Sequence, residues 1–188
     1  MIGYIQKVLV DTIRAEGGDE ALATICQRAG VEGIPDFRID QDYPDDECLR
    51  MIAETGAYFG LDEDSLFQLY ADRFIRESRE RFPMFYEMAG SARDFLERQP
   101  RVHTVLAAGL RGEESRDRVR DKFDIERDGD DLMVTYRSPN RLCGLYEALF
   151  NRVLEEFGDT GSMEILACQK RGDDACRFCL KLGDAGDE

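Results

Sequence analysis

The fold class is decided by residues 122–182, which read KFDIERDGDDLMVTYRSPNRLCGLYEALFNRVLEEFGDTGSMEILACQKRGDDACRFCLKL. Within this stretch, MVTY (133–136) is rich in β-forming residues, and the turn-like DGDD before it predicts a hairpin whose first strand lies near residues 122–127. MEILAC (163–168) and CRFCLKL (176–182) predict a second hairpin around RGDD. The pattern therefore indicates four strands arranged in two hairpins.

A helix separates the two predicted hairpins. Residues 141–157 place apolar side chains on one stripe at helical spacing, namely Leu142, Leu145, Leu149 and Val153. Strands that are grouped in hairpins, rather than alternating one by one with helices, indicate the α+β class. We therefore expect a C-terminal antiparallel sheet with an inserted helix.

The chain before residue 122 predicts helices. Their expected ranges are 2–15, which Gly17-Gly18 would end, then 20–29, 44–58, a helix from 62 that Phe82-Pro83 breaks, and 91–110, which Pro100 kinks. The expected fold is α+β, with a helical N-terminal subdomain before the sheet. We expect one domain over residues 1–183, with the helical part at about 1–60 and the pocket and sheet part at about 61–183. Residues 184–188 should form a disordered tail.

Composition limits the classes of partner. The 188 residues carry a formal net charge of −15, so nucleic acid and anionic membrane surfaces would be repelled on average. The N-terminus lacks the pattern of a secretory signal, and no apolar run reaches the ~18 residues of a membrane span, which predicts a cytoplasmic protein without membrane contact. In that compartment the six cysteines are expected to be reduced thiols or metal ligands rather than disulfides.

The single histidine, His103, stands in the last helix predicted before the sheet. Helical spacing places it on one face with Leu96, Gln99, Leu106 and Leu110. A lone histidine on such a face fits two interpretations, a hydrogen-bonded core residue or an axial ligand that presents a nitrogen to a haem iron. No nucleophile–base pair is apparent in the sequence, so we do not predict an enzyme.

Four of the cysteines lie in the C-terminal third, namely Cys143, Cys168, Cys176 and Cys179. Four thiolates can hold a tetrahedral structural zinc, and these four are its candidate ligands. Cys176 and Cys179 would ligate one metal only if their strand bends, because residues i and i+3 of a flat strand face opposite sides. The alternative is that they are buried core thiols, which is also our interpretation of Cys26 and Cys48.

Several segments resemble the haem–nitric oxide/oxygen binding (H-NOX) domain family over nearly the whole chain. They are the opening MIGYIQKVL, the acidic turn DYPDDE (42–47), the helix segment that ends IAETGAYFGL, the run FPMFYEMAGSARDFLERQPRVH (82–103), and the spacing from there to YRSP (136–139). The resemblance implies the H-NOX fold, a haem b cofactor, and His103 as the axial ligand of its iron.

The same resemblance implies which residues hold the haem carboxylates. The family's Tyr-x-Ser-x-Arg motif binds the propionates, and here it reads Tyr136-Arg137-Ser138-Pro139-Asn140, followed by Arg141. Tyr136, Ser138, Asn140 and Arg141 are therefore expected on the propionate side. Two positions depart from the family pattern: Asn140 replaces the arginine of the motif, and Arg116 stands where many members have a proline that presses on the haem.

Gas selectivity is also implied by the resemblance. The gas side of the family's haem corresponds here to Ile5, Leu9, Phe74, Ser78 and Leu145. Oxygen-binding members have a tyrosine at the position of Leu145, so this chain is expected to bind NO, and also CO, but not oxygen. Ser78 and Tyr146 carry the two hydroxyls that could counter this expectation. The signal would pass to a separate enzyme, a histidine kinase or a cyclic-di-GMP enzyme.

Two other functions remain open. Some H-NOX relatives carry a cysteine-bound zinc in the same region, and the cysteines of this chain could form a redox switch that releases zinc on oxidation, with haem weakly bound or absent. The ending CQKRGDDACRFCLKL (168–182) also resembles the 4-vinyl reductase small-ligand domain, a related fold that does not depend on haem. Both alternatives keep the fold and differ from the gas sensor in the ligand.

Overall fold

The computed structural model describes residues 1–183, in which a helical part precedes the sheet. The helices are α1 (Gly3–Ala29), α2 (Asp45–Phe59), α3 (Glu63–Arg81), α4 (Pro83–Glu87), α5 (Ala92–Glu97), α6 (Gln99–Ala108), α7 (Glu113–Arg120) and α8 (Cys143–Phe157). The strands are β1 (Phe123–Asp128), β2 (Asp131–Tyr136), β3 (Gly161–Ala167) and β4 (Cys176–Leu182). None of the helices in this part of the chain is long and apolar enough to span a bilayer. The tail predicted at 184–188 lies outside the described residues.

The four strands form one antiparallel sheet in the order β1-β2-β4-β3. β1 and β2 are the first predicted hairpin, and their register pairs Phe123 with Tyr136. β4 lies on the other side of β2 and pairs Cys176 with Tyr136, while β3 forms the far edge. Helix α8 connects β2 to β3. The α+β fold, with a helix inserted between two hairpins, is therefore confirmed.

Helix α1 is longer than the sequence predicts. We expect Gly17-Gly18 to end a helix, but α1 continues to Ala29 with a kink at Gly18, whose φ of 72° and ψ of −171° are not helical. Glycine adopts a positive φ without the steric penalty that a β-carbon imposes. The glycine pair thus redirects the helix and does not end it.

The helix predicted over 91–110 is divided at Arg98 into α5 and α6. Ser91 caps α5, because its hydroxyl accepts the N–H of Asp94 at 3.2 Å. Pro100 lies in the first turn of α6, where the N–H that it lacks would have no helical partner. The proline therefore opens a new helix, and this helix carries His103.

Two short helices are not predicted from the sequence. α4 starts at Pro83, so the proline that ends α3 also opens the next helical turn. α7 consists mainly of charged residues, and Val119 is its one buried side chain. A single apolar residue gives no periodic signal. Both helices therefore depend on tertiary packing that the sequence pattern does not show.

Two large apolar clusters form most of the interior. The helical core joins α1, α2 and α3 and includes Val8, Ile13, Leu22, Ile25 and Met51. The sheet core packs α8 against the sheet and includes Leu132, Val134, Phe150, Phe178 and Leu180. Phe74 of α3 and Leu149 of α8 pack against both clusters. The α3–α8 pair therefore forms the boundary between the two cores.

Candidate functional site

A mostly apolar cavity lies at this boundary between the two cores. Its wall is built by α1, α3, α4, α5, α6, α8 and the first two strands. Among the residues predicted for a haem site, those that line it are His103, Tyr136, Ser138, Asn140, Ile5, Phe74, Ser78 and Leu145. The structure thus brings eight of the ten residues into one cavity, although they come from distant parts of the chain.

Two predicted residues lie outside the cavity wall. Leu9 is buried in the helical core, one turn after Ile5, and lines a separate small cavity together with Cys48 of α2 and Phe67 of α3. Arg141 is exposed at the turn before α8 and has a φ of 53°. Because α1 already packs on α2 and α3 at Leu9, that side chain has no access to the main cavity.

His103 is held as a neutral imidazole. Its Nδ1 lies 2.8 Å from the carbonyl oxygen of Gln99, one turn earlier on α6. Because a carbonyl only accepts, Nδ1 carries the proton and Nε2 keeps its lone pair. Burial lowers the pKa of His103 to about 4; the Gln99 hydrogen bond opposes this shift and the ammonium of Lys122 adds to it. The ring therefore has the tautomer and charge that metal ligation requires.

This depressed pKa predicts how the stability of the haem-free protein depends on pH. In the unfolded chain a histidine titrates near its ordinary pKa of about 6.5. Between that value and about 4, the unfolded state binds more protons than the folded state, so stability falls as the pH falls through this window. From about pH 7.5 to about pH 5, we expect the free energy of unfolding to fall by about 2 kcal/mol from this group alone.

Urea denaturation of the haem-free protein at the two pH values checks this expectation. Carboxylates also titrate there, so the matched control is His103→Leu, which lacks only the imidazole. The wild type should lose more stability than the variant by the amount given above. An equal loss in both proteins would contradict the depressed pKa of His103.

Polar groups gather at one part of the cavity wall, where β1 begins and β2 ends. Tyr136 and Ser138 are buried there, and the backbone N–H of Asn140 donates to Ser138 Oγ at 3.4 Å. Burial raises the pKa of Tyr136 to about 12, so its hydroxyl stays neutral and can donate. Lys122 lines the same cavity and adds an ammonium group. Hydroxyl, amide and ammonium groups together suit a ligand that carries carboxylates.

The arginines that flank this polar part do not line the cavity. Arg137 is exposed, and its guanidinium lies 3.9 Å from the carboxylate of Asp124. Arg116, at the position where many family members have proline, donates to the carbonyl oxygen of Leu110 at 3.3 Å. Within residues 1–183, the wall therefore offers Asn140 and Lys122, and not a guanidinium, near Tyr136 and Ser138.

Besides Tyr136 and Ser138, four residues with hydroxyl groups line the cavity, namely Tyr4, Ser78, Tyr86 and Tyr146. Ser78 Oγ hydrogen-bonds with the hydroxyl of Tyr86 and with the carbonyl oxygen of Ile75 at 3.1 Å. The hydroxyls of Tyr4 and Tyr146 are buried without a hydrogen-bond partner among the described residues. Burial raises the pKa of both groups. Since an unpaired buried hydroxyl is costly, these two are the donors that a ligand could satisfy.

Three of the four candidate zinc ligands meet near the start of α8. The Sγ atoms of Cys143, Cys168 and Cys176 lie within 4.8 Å of one another, and those of Cys143 and Cys168 are 3.3 Å apart. Cys179 does not join them, which corrects the four-cysteine set: its Sγ lies 3.5 Å from the carboxylate of Asp131. β4 keeps a regular register from Cys176 onward, so residues i and i+3 face opposite sides.

The three clustered thiols are not equivalent. Burial raises the pKa of Cys168, but hydrogen bonds from the Cys143 thiol and from the backbone amides of Lys170 and Arg171 outweigh burial, so the pKa lies below its usual value. Burial raises the pKa of Cys143 to about 12, and its hydrogen bond to Cys168 adds to the shift. Cys168 is therefore the most acidic thiol of the cluster. Cys26 and Cys48 are buried in the helical core, which confirms their interpretation.

The side chains of the cavity fit a haem. A neutral imidazole with a free nitrogen, aromatic and aliphatic walls, and a polar part with Tyr136, Ser138, Asn140 and Lys122 correspond to iron, porphyrin and carboxylates respectively. The cysteine cluster fits a metal less completely. It offers three thiol ligands, and a tetrahedral zinc needs a fourth ligand from elsewhere.

Three groups of this site were not predicted from the sequence. The carbonyl of Gln99, the hydroxyl of Tyr4 and the ammonium of Lys122 each act at the cavity. The i, i+4 spacing of Gln99 and His103 is a signal that could have shown the first of them. Tyr4 and Lys122 have no such signal, since one stands in a helical stripe and the other at the edge of a strand.

A model of the haem-NO-binding family matches residues 2–165. Among solved structures, the chain is similar to an oxygen-binding H-NOX domain related to soluble guanylate cyclases, in its oxygen complex, at 18% identity over 100% of this chain and 98% of that chain, with a TM-score of 0.78. No curated protein sequence matches the chain.

Two further structures are similar over comparable lengths. An H-NOX protein from S. oneidensis in the Fe(II)NO ligation state is 16% identical over 98% of this chain and 100% of that chain, with a TM-score of 0.81. The unliganded Fe(II) H-NOX protein from K. algicida is 16% identical over 100% of both chains, with a TM-score of 0.78. At such identities these likenesses establish the fold.

The family match supplies what the structural likenesses do not. It spans most of the sequence and includes His103, Tyr136 and Ser138, but it ends before Cys168, Cys176 and Cys179. The cavity therefore lies inside the matched region, while most of the cysteine cluster lies beyond it. The chain belongs to the haem-NO-binding family.

Proposed function

We propose that this protein is a haem-based sensor of nitric oxide that reports to a separate partner enzyme through α6. The observation that carries the proposal is the neutral imidazole of His103, fixed by the Gln99 carbonyl and placed in an apolar cavity. Ferrous haem bound there would supply the iron that takes a diatomic gas. The residues of the chain would hold and orient it and control which gas it accepts.

The residues that hold the haem divide by chemistry. His103 offers Nε2 as the axial ligand, and the hydrogen bond at Nδ1 fixes the orientation of the ring. Phe123 packs against the imidazole, with ring centroids 4.7 Å apart, and limits its rotation. Tyr136, Ser138 and Asn140 would donate hydrogen bonds to the carboxylates. The proposal therefore assigns the iron to α6 and the carboxylates to β2 and the turn that follows it.

Gas selectivity is proposed from the opposite wall. Oxygen binding to ferrous haem is stabilised by a nearby hydrogen-bond donor, and NO binding does not need one. Leu145 and Phe74 provide no donor, and the Ser78 hydroxyl is already hydrogen-bonded to Tyr86 and Ile75. The unpaired hydroxyls of Tyr4 and Tyr146 are the remaining donors in the wall. We propose that neither reaches the bound gas, and hence that NO is the ligand, with CO binding as well.

We expect the reduced, haem-loaded protein to bind NO and CO and to form no stable complex with oxygen. Absorption spectra recorded anaerobically, under each gas and then in air, measure this directly. Leu145→Tyr would place a hydroxyl in the wall and should gain measurable oxygen affinity. A persistent oxygen spectrum in the unmodified protein would contradict the proposed selectivity.

Two control variants identify the donor if oxygen does bind. Tyr4→Phe and Tyr146→Phe each remove one of the unpaired hydroxyls and keep the ring. Neither variant should change the NO or CO spectra if the proposal is right. Loss of oxygen binding in one of them would assign the oxygen donor to that tyrosine.

Helix α6 connects the cavity with the surface. Val102, His103 and Leu106 line the cavity, whereas Arg101 and Val105 on the same helix are exposed. A change at the His103 ring would therefore move side chains that a partner can contact. We propose that the partner is a histidine kinase or a cyclic-di-GMP enzyme that contacts this exposed side of α6.

The second candidate function is a cysteine redox switch with or without zinc. The observation that favours it is the 3.3 Å distance between the Sγ atoms of Cys143 and Cys168, one of which has a lowered pKa. A lowered pKa raises the thiolate fraction that reacts with oxidants and metals. The 4-vinyl reductase alternative is less favoured, because the family match also includes the N-terminal helices that this resemblance fits poorly.

We propose a sensor and not an enzyme. The one histidine is committed to its Gln99 hydrogen bond and to the cavity, and burial keeps it neutral well below pH 7. Within residues 1–183, the hydroxyls of Tyr4, Ser78, Tyr86 and Tyr146 form no hydrogen bond with a histidine or a carboxylate that would activate them. Binding is therefore the chemistry that this cavity favours.

A further inference from the structure

Lys122 places a cation at the polar part of the cavity. It directly precedes β1, and its carbonyl oxygen accepts the N–H of Arg137 at 2.9 Å, which sets it beside the Tyr136–Ser138 segment. Its side chain lines the cavity together with those of Tyr136 and Ser138. Lys122 and the carboxylate-binding motif are therefore neighbours across the hairpin, although Lys122 is not part of the motif.

The ammonium of Lys122 lacks an anionic partner. Within residues 1–183, neither a hydrogen bond nor an ion pair involves it. Burial lowers its pKa, the attraction of Asp45 opposes this shift, and Asp45 itself pairs with the N-terminal amine of Met1. A charge removed from water without a partner is costly, and a negatively charged ligand in the cavity would compensate it.

The neighbouring residues leave this cationic role free. Asn140, at the arginine position of the motif, offers neutral donors only. Arg137 is exposed and lies near Asp124, and Arg141 is exposed at the turn before α8. A hydrogen bond from a charged donor to a carboxylate is roughly twice as strong as one from a neutral donor. The cavity therefore contains one suitable cation, Lys122, among the described residues that line it.

We propose that Lys122 binds a carboxylate of the haem and replaces the arginine that this chain lacks at position 140. The inference rests on the proposed haem binding and adds a residue to it. It also accounts for the change from arginine to Asn140, since a cation supplied by the residue before β1 makes the second one dispensable.

The test combines a variant of the protein with a variant of the ligand. Wild type and Lys122→Met are loaded either with haem or with haem dimethyl ester, in which both carboxylates are converted to uncharged methyl esters. The rate of haem loss to excess apomyoglobin is measured for each of the four complexes. We expect Lys122→Met to lose haem about tenfold faster than wild type, which corresponds to about 1.4 kcal/mol. With the dimethyl ester, wild type and variant should differ less than about twofold.

Matched controls exclude a general effect of the substitution. Lys181→Met removes an exposed lysine from β4 and should leave all rates unchanged. Lys122→Arg keeps the charge and should retain most of the slow haem loss. The ferrous absorption spectrum of Lys122→Met should match that of wild type, because His103 is untouched.

The outcomes separate this inference from the function on which it rests. If wild type fails to bind haem, the proposed function fails and Lys122 has no haem to anchor. If wild type holds haem and Lys122→Met releases it at the same rate, the role of Lys122 is refuted while the sensor proposal stands. An equal acceleration with haem and with the dimethyl ester would show a purely structural role and would also overturn the inference.

Discussion

Replacement of His103 by glycine is expected to abolish the histidine ligand field of the haem-loaded protein while the chain stays folded. The imidazole is half-buried at the cavity. Its polar neighbour is the carbonyl oxygen of Gln99, and its aromatic neighbour is the ring of Phe123. Removing it widens a cavity that already exists, so little of either core is lost. A glycine inside α6 costs about 1 kcal/mol through backbone entropy.

Absorption and resonance Raman spectra of the ferrous protein measure the ligand directly. Thr104→Gly is the matched control, because Thr104 is the next residue on α6, is exposed, and pays the same helical penalty. The control should keep the wild-type spectrum. Free imidazole added to His103→Gly should restore a nitrogen-ligated spectrum in the vacated space. If His103→Gly kept the wild-type ferrous spectrum, His103 would not be the ligand.

The second large effect is expected at the cysteine cluster. Protein prepared under reducing conditions without chelators should contain one equivalent of zinc held by Cys143, Cys168 and Cys176, and Cys176→Ala should lose it. These thiols join the start of α8 to the sheet near β3 and β4, so zinc would link elements that otherwise meet through apolar packing. Its loss should lower the free energy of unfolding by an amount on the order of several kcal/mol.

Cys179→Ala is the control that the structure provides. Cys179 was a candidate ligand from the sequence, but its Sγ faces Asp131, so this variant should keep the metal. Metal analysis of the three proteins decides between three and four cysteine ligands. Wild type without zinc would reduce the cluster to buried thiols and would remove the main support for a metal-linked switch.

Oxidation should release the metal in the same experiment. Hydrogen peroxide is reduced to water as Cys143 and Cys168 give up two electrons and form a disulfide. Their Sγ atoms are 3.3 Å apart, and Cys168 is the more acidic thiol, so it is the expected site of attack. Zinc without haem in the purified protein would make the redox switch the leading function.

Much of the fold could be predicted from the sequence because its signals are local. Strand pairs separated by turn residues, and the apolar stripe of α8, specify the α+β arrangement before any tertiary contact is known. Apart from the charged helix α7, the errors occur at glycine and proline. The kink at Gly18 and the start of α6 at Pro100 show that such residues redirect a chain or open a helix as readily as they end one.

The polar part of the haem cavity was predictable only where the family resemblance specified it. Tyr136, Ser138 and Asn140 line the cavity, but Arg141, next in sequence, does not. Lys122 could not be predicted, because its proximity to Tyr136 depends on the register of β1 against β2. Such cross-strand neighbours become apparent in a sequence only when the pairing is already known.

The position of the cavity between two separately packed cores has a mechanical consequence. Phe74 and Leu149 pack against both cores, so the α3–α8 pair is the contact that the two cores share. A small rotation of one core against the other at this contact would change the shape of the cavity while the side chains inside each core keep their neighbours. Such a rotation costs far less free energy than repacking an interior. A ligand bound in the cavity would set the angle between the helical core and the sheet core. We therefore expect occupancy of the cavity to change the angle between the two cores and, with it, the shape of the surface.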